Sequence, residues 1–250
     1  MLFCEPLTVR ILPEYYLSLH QFLTKRRTIV LPSIANMLLF LAITLAMCYF
    51  IFTNLARFLS TGDLYGQGIL VVGGWLHEDE LKEAYKIYQQ GDYSHVVAIG
   101  MPVDDSGSSF ETHAERGAWH LQRLGIPEDR LKPLLVPSFD NNRSFVAVLT
   151  LRDWLEEQNQ FPKSIDVVSN YAHSRRTHML YRFAFADTNV DIGVVAAANP
   201  KLPLTGWWKQ SASAKTVISE FAGWIRTACC FNQKSVEEHY RESIQRRKSQ

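Results

Sequence analysis

Hydrophobic and polar positions divide the chain into two regimes. Residues 28–56 carry no charged side chain, and 37–52 are almost wholly apolar. A bilayer core takes about 20 apolar helical residues, so this run predicts a membrane-spanning helix over 29–58. Pro32 and Asn36 fall near its start, where a spanning helix tolerates them. The run is too long for a cleaved signal peptide, and no small-x-small cleavage site follows it. At Leu45-Ala-Met-Cys48, Met47 occupies the place where a lipoprotein box needs a small residue. The segment reads as an uncleaved anchor.

From residue 69 onward short apolar runs alternate with amphipathic stretches. The runs 69–72, 95–99, 131–136, 165–169 and 190–195 predict strands. The stretches 78–90, 111–124, 142–157, 179–185 and 213–227 predict helices. Strands that are apolar throughout have both faces covered, which argues for an α/β fold: a mostly parallel sheet of about five strands between helices. Right-handed crossovers then bring every strand's C-terminal end to one edge. Before the sheet, residues 59–68 are glycine-rich and read as a linker. The domain extends over 69–228, and 229–250 reads as a charged, solvated helical tail. In the segment 1–28, Tyr15, Tyr16, Leu19, Phe22 and Leu23 recur at helical spacing, which fits an interfacial helix or an unstructured tail.

Composition changes this picture little. With 250 residues and 47% hydrophobic content the chain can bury a core of its own. A formal net charge of +1 gives no global pull toward nucleic acid, so charge must act locally. Lys25-Arg26-Arg27 abut one end of the apolar run and only Arg57 the other, which places the N-terminus in the cytoplasm and the domain outside, in a bacterium the periplasm or cell exterior. Cys4, Cys48, Cys229 and Cys230 form no disulfide framework or CxxC pair.

Ligands of such sheets bind beyond the carboxyl ends of the strands, so the loops there carry the candidate chemistry. The first holds Gly73 and Gly74, which permit close backbone approach to a ligand. The second holds Gly100, with Asp104 and Asp105 in capping or solvated roles and Glu111 at the next helix start. In the third, Asp140 is placed to cap a helix whose first turn holds Arg143; an arginine there opposes the helix dipole and points to an anion or a carboxylate partner. The fourth is the most informative. His173, Arg175 and Arg176 stand at a strand-to-helix junction, where three cation-capable groups oppose the dipole unless an anion offsets them. His173 and Arg176, three apart, share a helix face; Arg175 points away, toward a carboxylate such as Glu111 or Asp140. His173 suits acid–base chemistry and the arginines suit phosphate. Glu220, mid-helix among apolar residues, needs a partner such as a junction arginine. Trp207-Trp208 reads as packing, and His77, His95, His113 and His120 as structural or exposed. GxSxG, HExxH, Cys/His zinc spacings and GxGxxG are absent, so the motifs assign no metal and no cofactor.

Taken together, the anchor, the Gly73-Gly74 turn, the 141–145 NNRSF stretch, AHSRRTHMLYRFAF at 172–185 and GWWKQSASAKTVISE at 206–220 resemble the YdcF/SanA/ElyC-like family of bacterial envelope domains, over about residues 68–226. The resemblance implies a Rossmann-like three-layer domain at the inner membrane and a pocket shared by Gly73, Gly74, Gly100, Arg143, His173 and Arg176. It also implies links to peptidoglycan assembly and lipid-carrier metabolism. The chain departs from the family pattern at Ile99-Gly-Met101, where Ser-Gly-Gly is usual, and Glu111 and Glu115 compete for the acidic position of the next helix. The expected function is binding or processing of a phosphorylated, membrane-proximal ligand, a lipid headgroup or small anion, with His173 as the catalytic candidate. The alternatives are a non-catalytic assembly factor and, from a cytoplasmic relative in the family, an S-adenosylmethionine or nucleotide-type binder, which the outward topology disfavours.

Overall fold

The computed structural model describes residues 33–103, 108–159, 161–200 and 202–249. The expectations for segment 1–28, including Lys25, Arg26 and Arg27, and for Asp104 and Asp105 lie outside the described residues.

Helix α1 (Ile34–Leu59) has 26 residues and is, among the described residues, the one helix long and apolar enough to cross a membrane. Its length of about 39 Å exceeds a hydrocarbon core of about 30 Å. Among the described residues, 33–48 belong to one unit and those from Tyr49 onward to another. The last turns of α1 therefore belong to the domain, where Ala56 and Leu59 are fully buried beside Tyr171, Trp207 and Val217.

The domain is a five-stranded, all-parallel sheet in the order β3-β2-β1-β4-β5. Its strands are β1 (Gln67–Gly73), β2 (Asp92–Gly100), β3 (Leu131–Leu135), β4 (Ser164–Asn170) and β5 (Asp191–Ala197). Between them run α2 (Glu78–Gln90), α3 (His113–Leu124), α4 (Arg143–Glu157) and α5 (Ser174–Ala184), followed by α6 (Ser211–Cys230) and α7 (Gln233–Lys248). Alternate strand residues feed two cores. Leu70, Val72, Val96 and Ala98 pack with α2 and α3, whereas Ile69, Val71, Ile165 and Val167 pack with α4 and α5. Each fully buried Val or Leu contributes about 1.5–3 kcal/mol, which is why uninterrupted apolar runs became central strands. The order reverses between β1 and β4, and that switch point opens a crevice at the strand ends.

Three expectations need correction. Residues 60–66 are not a free linker. Ser60 Oγ donates to the Tyr171 carbonyl (2.8 Å), Thr61 N–H donates to Ser174 Oγ (2.9 Å), and Asp63 pairs with Val194 of β5. The glycines hid a segment whose polar backbone is satisfied by the sheet edge. Nor is the C-terminal helix merely solvated. Val236, Tyr240 and Ile244, four residues apart, pack on the α4 face, and Tyr240 is buried. Its hydroxyl donates to Asp153 Oδ2 (3.0 Å), and Arg241 pairs with Asp153 Oδ1 at 2.7 Å. Finally, α5 starts at Ser174, well before the expected residue 179, because the short turn Tyr171–His173 leads directly into it.

Candidate functional site

Beyond the strand ends lies a cleft of about 1210 Å³. Trp75 and Met101 line it from the β1 and β2 ends, and Asp140, Asn142 and Arg143 from the loop into α4. Asn170, His173 and Arg176 line it from the β4–α5 junction, Thr216 and Glu220 from α6, and Val236 and His239 from α7.

The β4–α5 junction is built as its charge requires. His173 occupies the N-cap of α5, and the first turn carries no acidic residue. The compensating carboxylate arrives from α6: Glu220 Oε2 lies 2.8 Å from His173 Nδ1 and accepts from Arg176 Nε at 2.9 Å, while Arg176 Nη2 donates to Oε1 at 3.2 Å. Burial pushes the Glu220 carboxyl up, but His173 and then Arg176 pull it further down, to about 2. An ionised Glu220 accepts, so Nδ1 carries the imidazole proton and Nε2 is the remaining ring nitrogen, on a side chain that lines the cleft. The pair is therefore a carboxylate-oriented imidazole, equipped for proton transfer.

Two carboxylates, Asp140 and Glu220, line the cleft, but neither lines the recess beside it. A recess of about 210 Å³ adjoins the cleft, sharing Arg143, Ser144 and Arg176 with it, and Arg226 of α6 completes the wall. Arg143, Arg176 and Arg226 line this recess, and no Asp or Glu does so among the described residues. Among the described residues Arg226 donates to the neutral Asn142 Oδ1, at 3.4 Å, and pairs with no carboxylate. Arg143 is exposed and occupies the first position of α4, whose N-cap Asn142 is left-handed (φ 55°) and makes no side-chain cap. The first N–H groups of α4 are thus left without a side-chain acceptor beside these guanidiniums.

Other expected site residues go elsewhere. Arg175 pairs with neither Glu111 nor Asp140. Its Nε donates to the Phe58 carbonyl at the end of α1, and its guanidinium lies 4.2 Å from the Phe58 ring centroid. Asp140 lines the cleft but does not cap α4. Glu111 is exposed and lines no described cavity wall, while Glu115 closes a capping box with Thr112. Gly74 and Gly100 are occupied by a helix rather than left open to a ligand. A Cβ at Gly74 would stand 1.9 Å from the His113 carbonyl oxygen, one at Gly100 2.5 Å from Ala114 N, and one at Gly117 2.6 Å from Gly74 Cα. These glycines let α3 seat directly on the ends of β1 and β2. Gly73 is packed under the Trp75 ring.

The sequence reading passed over Arg226, Ser144 and His239 and assigned His113 a structural or exposed role, although His113 lines the cleft. Glu220 offered one usable signal, a carboxylate within an apolar helix. Nothing local to Arg226 distinguished it from an ordinary surface arginine. Among the described residues no group of three His, Cys, Asp or Glu side chains could hold a metal ion. No family model, curated protein or solved structure matches the chain.

Proposed function

We propose that this chain is a single-pass envelope protein of the bacterial inner membrane whose extracytoplasmic α/β domain binds a phosphorylated ligand, a lipid carrier of cell-wall biogenesis being the natural class, and uses His173 for proton transfer on it. The observation that carries the reading is the recess lined by Arg143, Arg176 and Arg226 without a carboxylate. Arginine meets phosphate with two parallel hydrogen bonds, and the open N-terminus of α4 adds backbone donors of the same sign. The adjoining cleft carries Trp75, Met101, Phe139 and Val236, apolar surface for an uncharged portion of the ligand. His173, oriented by Glu220, lines the cleft and serves there as acid or base. The placement outside the cytoplasm rests on the charge bias of Lys25-Arg26-Arg27. The resemblance of residues 172–185 and 206–220 to the envelope family supports the same assignment.

The test is calorimetric titration of full-length protein in detergent with a short polyprenyl monophosphate, and with inorganic phosphate as the headgroup-only probe. Both bind, the lipid more tightly. Arg143→Ala and Arg226→Ala each weaken both probes about tenfold, the equivalent of about 1.4 kcal/mol. Unchanged affinity in the double variant removes the site. Binding that survives in inorganic phosphate alone shifts the ligand class from lipid to soluble anion.

A further inference from the structure

Helix α6 presents three distinct faces. Thr216, Glu220, Gly223 and Thr227 border the cleft and the arginine recess. Ser213 and Val217 are buried, and Phe221 and Trp224 pack in the cluster at the end of α1. The remaining face carries Ile218, Ala222 and Ile225 at spacings of four and three, one stripe of the helix. Ile218 is 58% exposed and Ile225 41%.

This stripe continues into aromatic surface. Phe221 and Trp224 stack with ring centroids 6.1 Å apart, and Trp224 meets Phe58 of α1 edge-on at 4.9 Å. One turn and a half earlier on α1, Phe52 packs on both Trp207 and Trp208, at 4.8 and 5.5 Å. Phe52 and Phe58 themselves remain 44% and 39% exposed. Aromatic side chains gathered at the end of an apolar helix match the belt that proteins place at the membrane–water boundary. Exposed Lys215 and Arg226 flank the stripe on its polar side, and exposed Arg57 and Lys209 accompany the aromatic cluster. An amphipathic helix with isoleucines on one face and basic residues along its edge is built for an anionic lipid surface.

We propose that the outer face of α6 lies in the headgroup region of the bilayer, so that the domain touches the membrane at a second place besides α1. The inference rests on reading α1 as a span. Two observations favour a lipid occupant over a protein one: the stripe is continuous with the aromatic end of the apolar helix, and its border is basic. A consequence follows for the site, because the same helix carries Glu220 on its inner side and Arg226 at the stripe's polar edge, where it lines the recess. Seating α6 in the headgroups brings the arginine recess within a helix diameter, about 10 Å, of lipid phosphate.

The test uses full-length protein with its four cysteines replaced by alanine, reconstituted in phosphatidylethanolamine–phosphatidylglycerol vesicles. Bimane is attached at single cysteines introduced as Ile218→Cys, Ile225→Cys, Ile43→Cys and, as an aqueous reference, Lys132→Cys. At 218 and 225, headgroup-region doxyl lipids quench the label strongly and aqueous iodide quenches it severalfold less than at 132. Iodide quenching at 218 and 225 equal to that at 132 overturns the proposal. So does protection from iodide without quenching by doxyl lipid, which would mark a protein occupant, such as a second copy of the chain. The label at 43 separates the two readings. Deep-doxyl quenching there with no headgroup-doxyl quenching at 218 sinks this inference alone, whereas no doxyl quenching at either position sinks the membrane span itself.

Discussion

Two carboxylates, one near each end of the sheet, show how differently the same group can be used. Asp166 lies near the N-terminal end of β4, completely buried. It accepts from Tyr65 N–H (3.1 Å), Gly66 N–H (2.8 Å) and the Tyr93 hydroxyl (2.7 Å). Burial and then this carboxylate push the Tyr93 hydroxyl far above its ordinary range, so it stays a donor. Every donor around Asp166 is neutral, and no cleft adjoins it among the cavities of the described residues. Glu220, at the opposite edge, is partly exposed and takes two cation-capable partners, next to two further arginines that pair with no carboxylate among the described residues. Where donors and acceptors close on each other the group holds the fold together. Where positive groups outnumber carboxylates beside an open cavity, the arrangement fits the anionic ligand proposed above.

The comparison can be broken in order of effect. Asp166→Ala strands the buried Tyr93 hydroxyl and two partly buried N–H groups, of Tyr65 and Gly66, and should cost about 4 kcal/mol, a drop of roughly 10 °C in the unfolding temperature by differential scanning fluorimetry. A smaller drop than that of Glu220→Gln would reverse the assignment of structural and functional carboxylates.

Glu220→Gln should cost about 3 kcal/mol at neutral pH, and its signature is pH dependence. The folded-state value near 2 lies below the ordinary 4.5, so the unfolded chain takes up the proton first as pH falls. The contribution is complete above about pH 4.5 and fades as pH falls toward 2. Denaturant titrations across that window should show a fall in wild-type stability whose Glu220 component is missing from the variant. Identical pH slopes would mean that the carboxylate is not held by His173 and Arg176.

Smaller effects separate the neighbouring arginines. Arg143→Ala should weaken phosphate binding about tenfold while moving stability by less than about 0.5 kcal/mol, because its side chain is exposed and forms no ion pair among the described residues. Arg175→Ala should do the reverse. It loses the Phe58 carbonyl and ring contacts for about 1 kcal/mol of stability and leaves phosphate binding unchanged. A binding defect in Arg175→Ala, read by the same titration, would show that the domain's grip on the end of α1 also shapes the recess.

Arg175 and Arg176 also mark the limit of sequence reading. Their dipeptide is a single basic signal, and helical spacing correctly grouped Arg176 with His173. What spacing could not reveal was that α1 would place the Phe58 carbonyl under Arg175. Glu220 was legible because a carboxylate among apolar residues must find a partner. Arg226 was not, because an exposed arginine conforms to every surface expectation until another helix sets Asn142 and Arg143 beside it. The glycines were visible as permissive positions, but whether a ligand or a helix fills the space is a matter of packing, and at Gly74 and Gly100 α3 fills it.

The chain's own order of residues determined the apolar helix and the five strands, because burial rewards apolar runs whatever surrounds them. It also determined that the junction at His173–Arg176 carries positive charge against a helix dipole. Only the tertiary structure decided how that charge is met: Glu220 comes from a helix 44 residues away in the case of Arg176, and residues 60–66 and Tyr240 are captured by surfaces that do not exist until the sheet forms. Local propensity acts over a few residues, whereas these pairings depend on which polar groups the closed sheet leaves within hydrogen-bond reach.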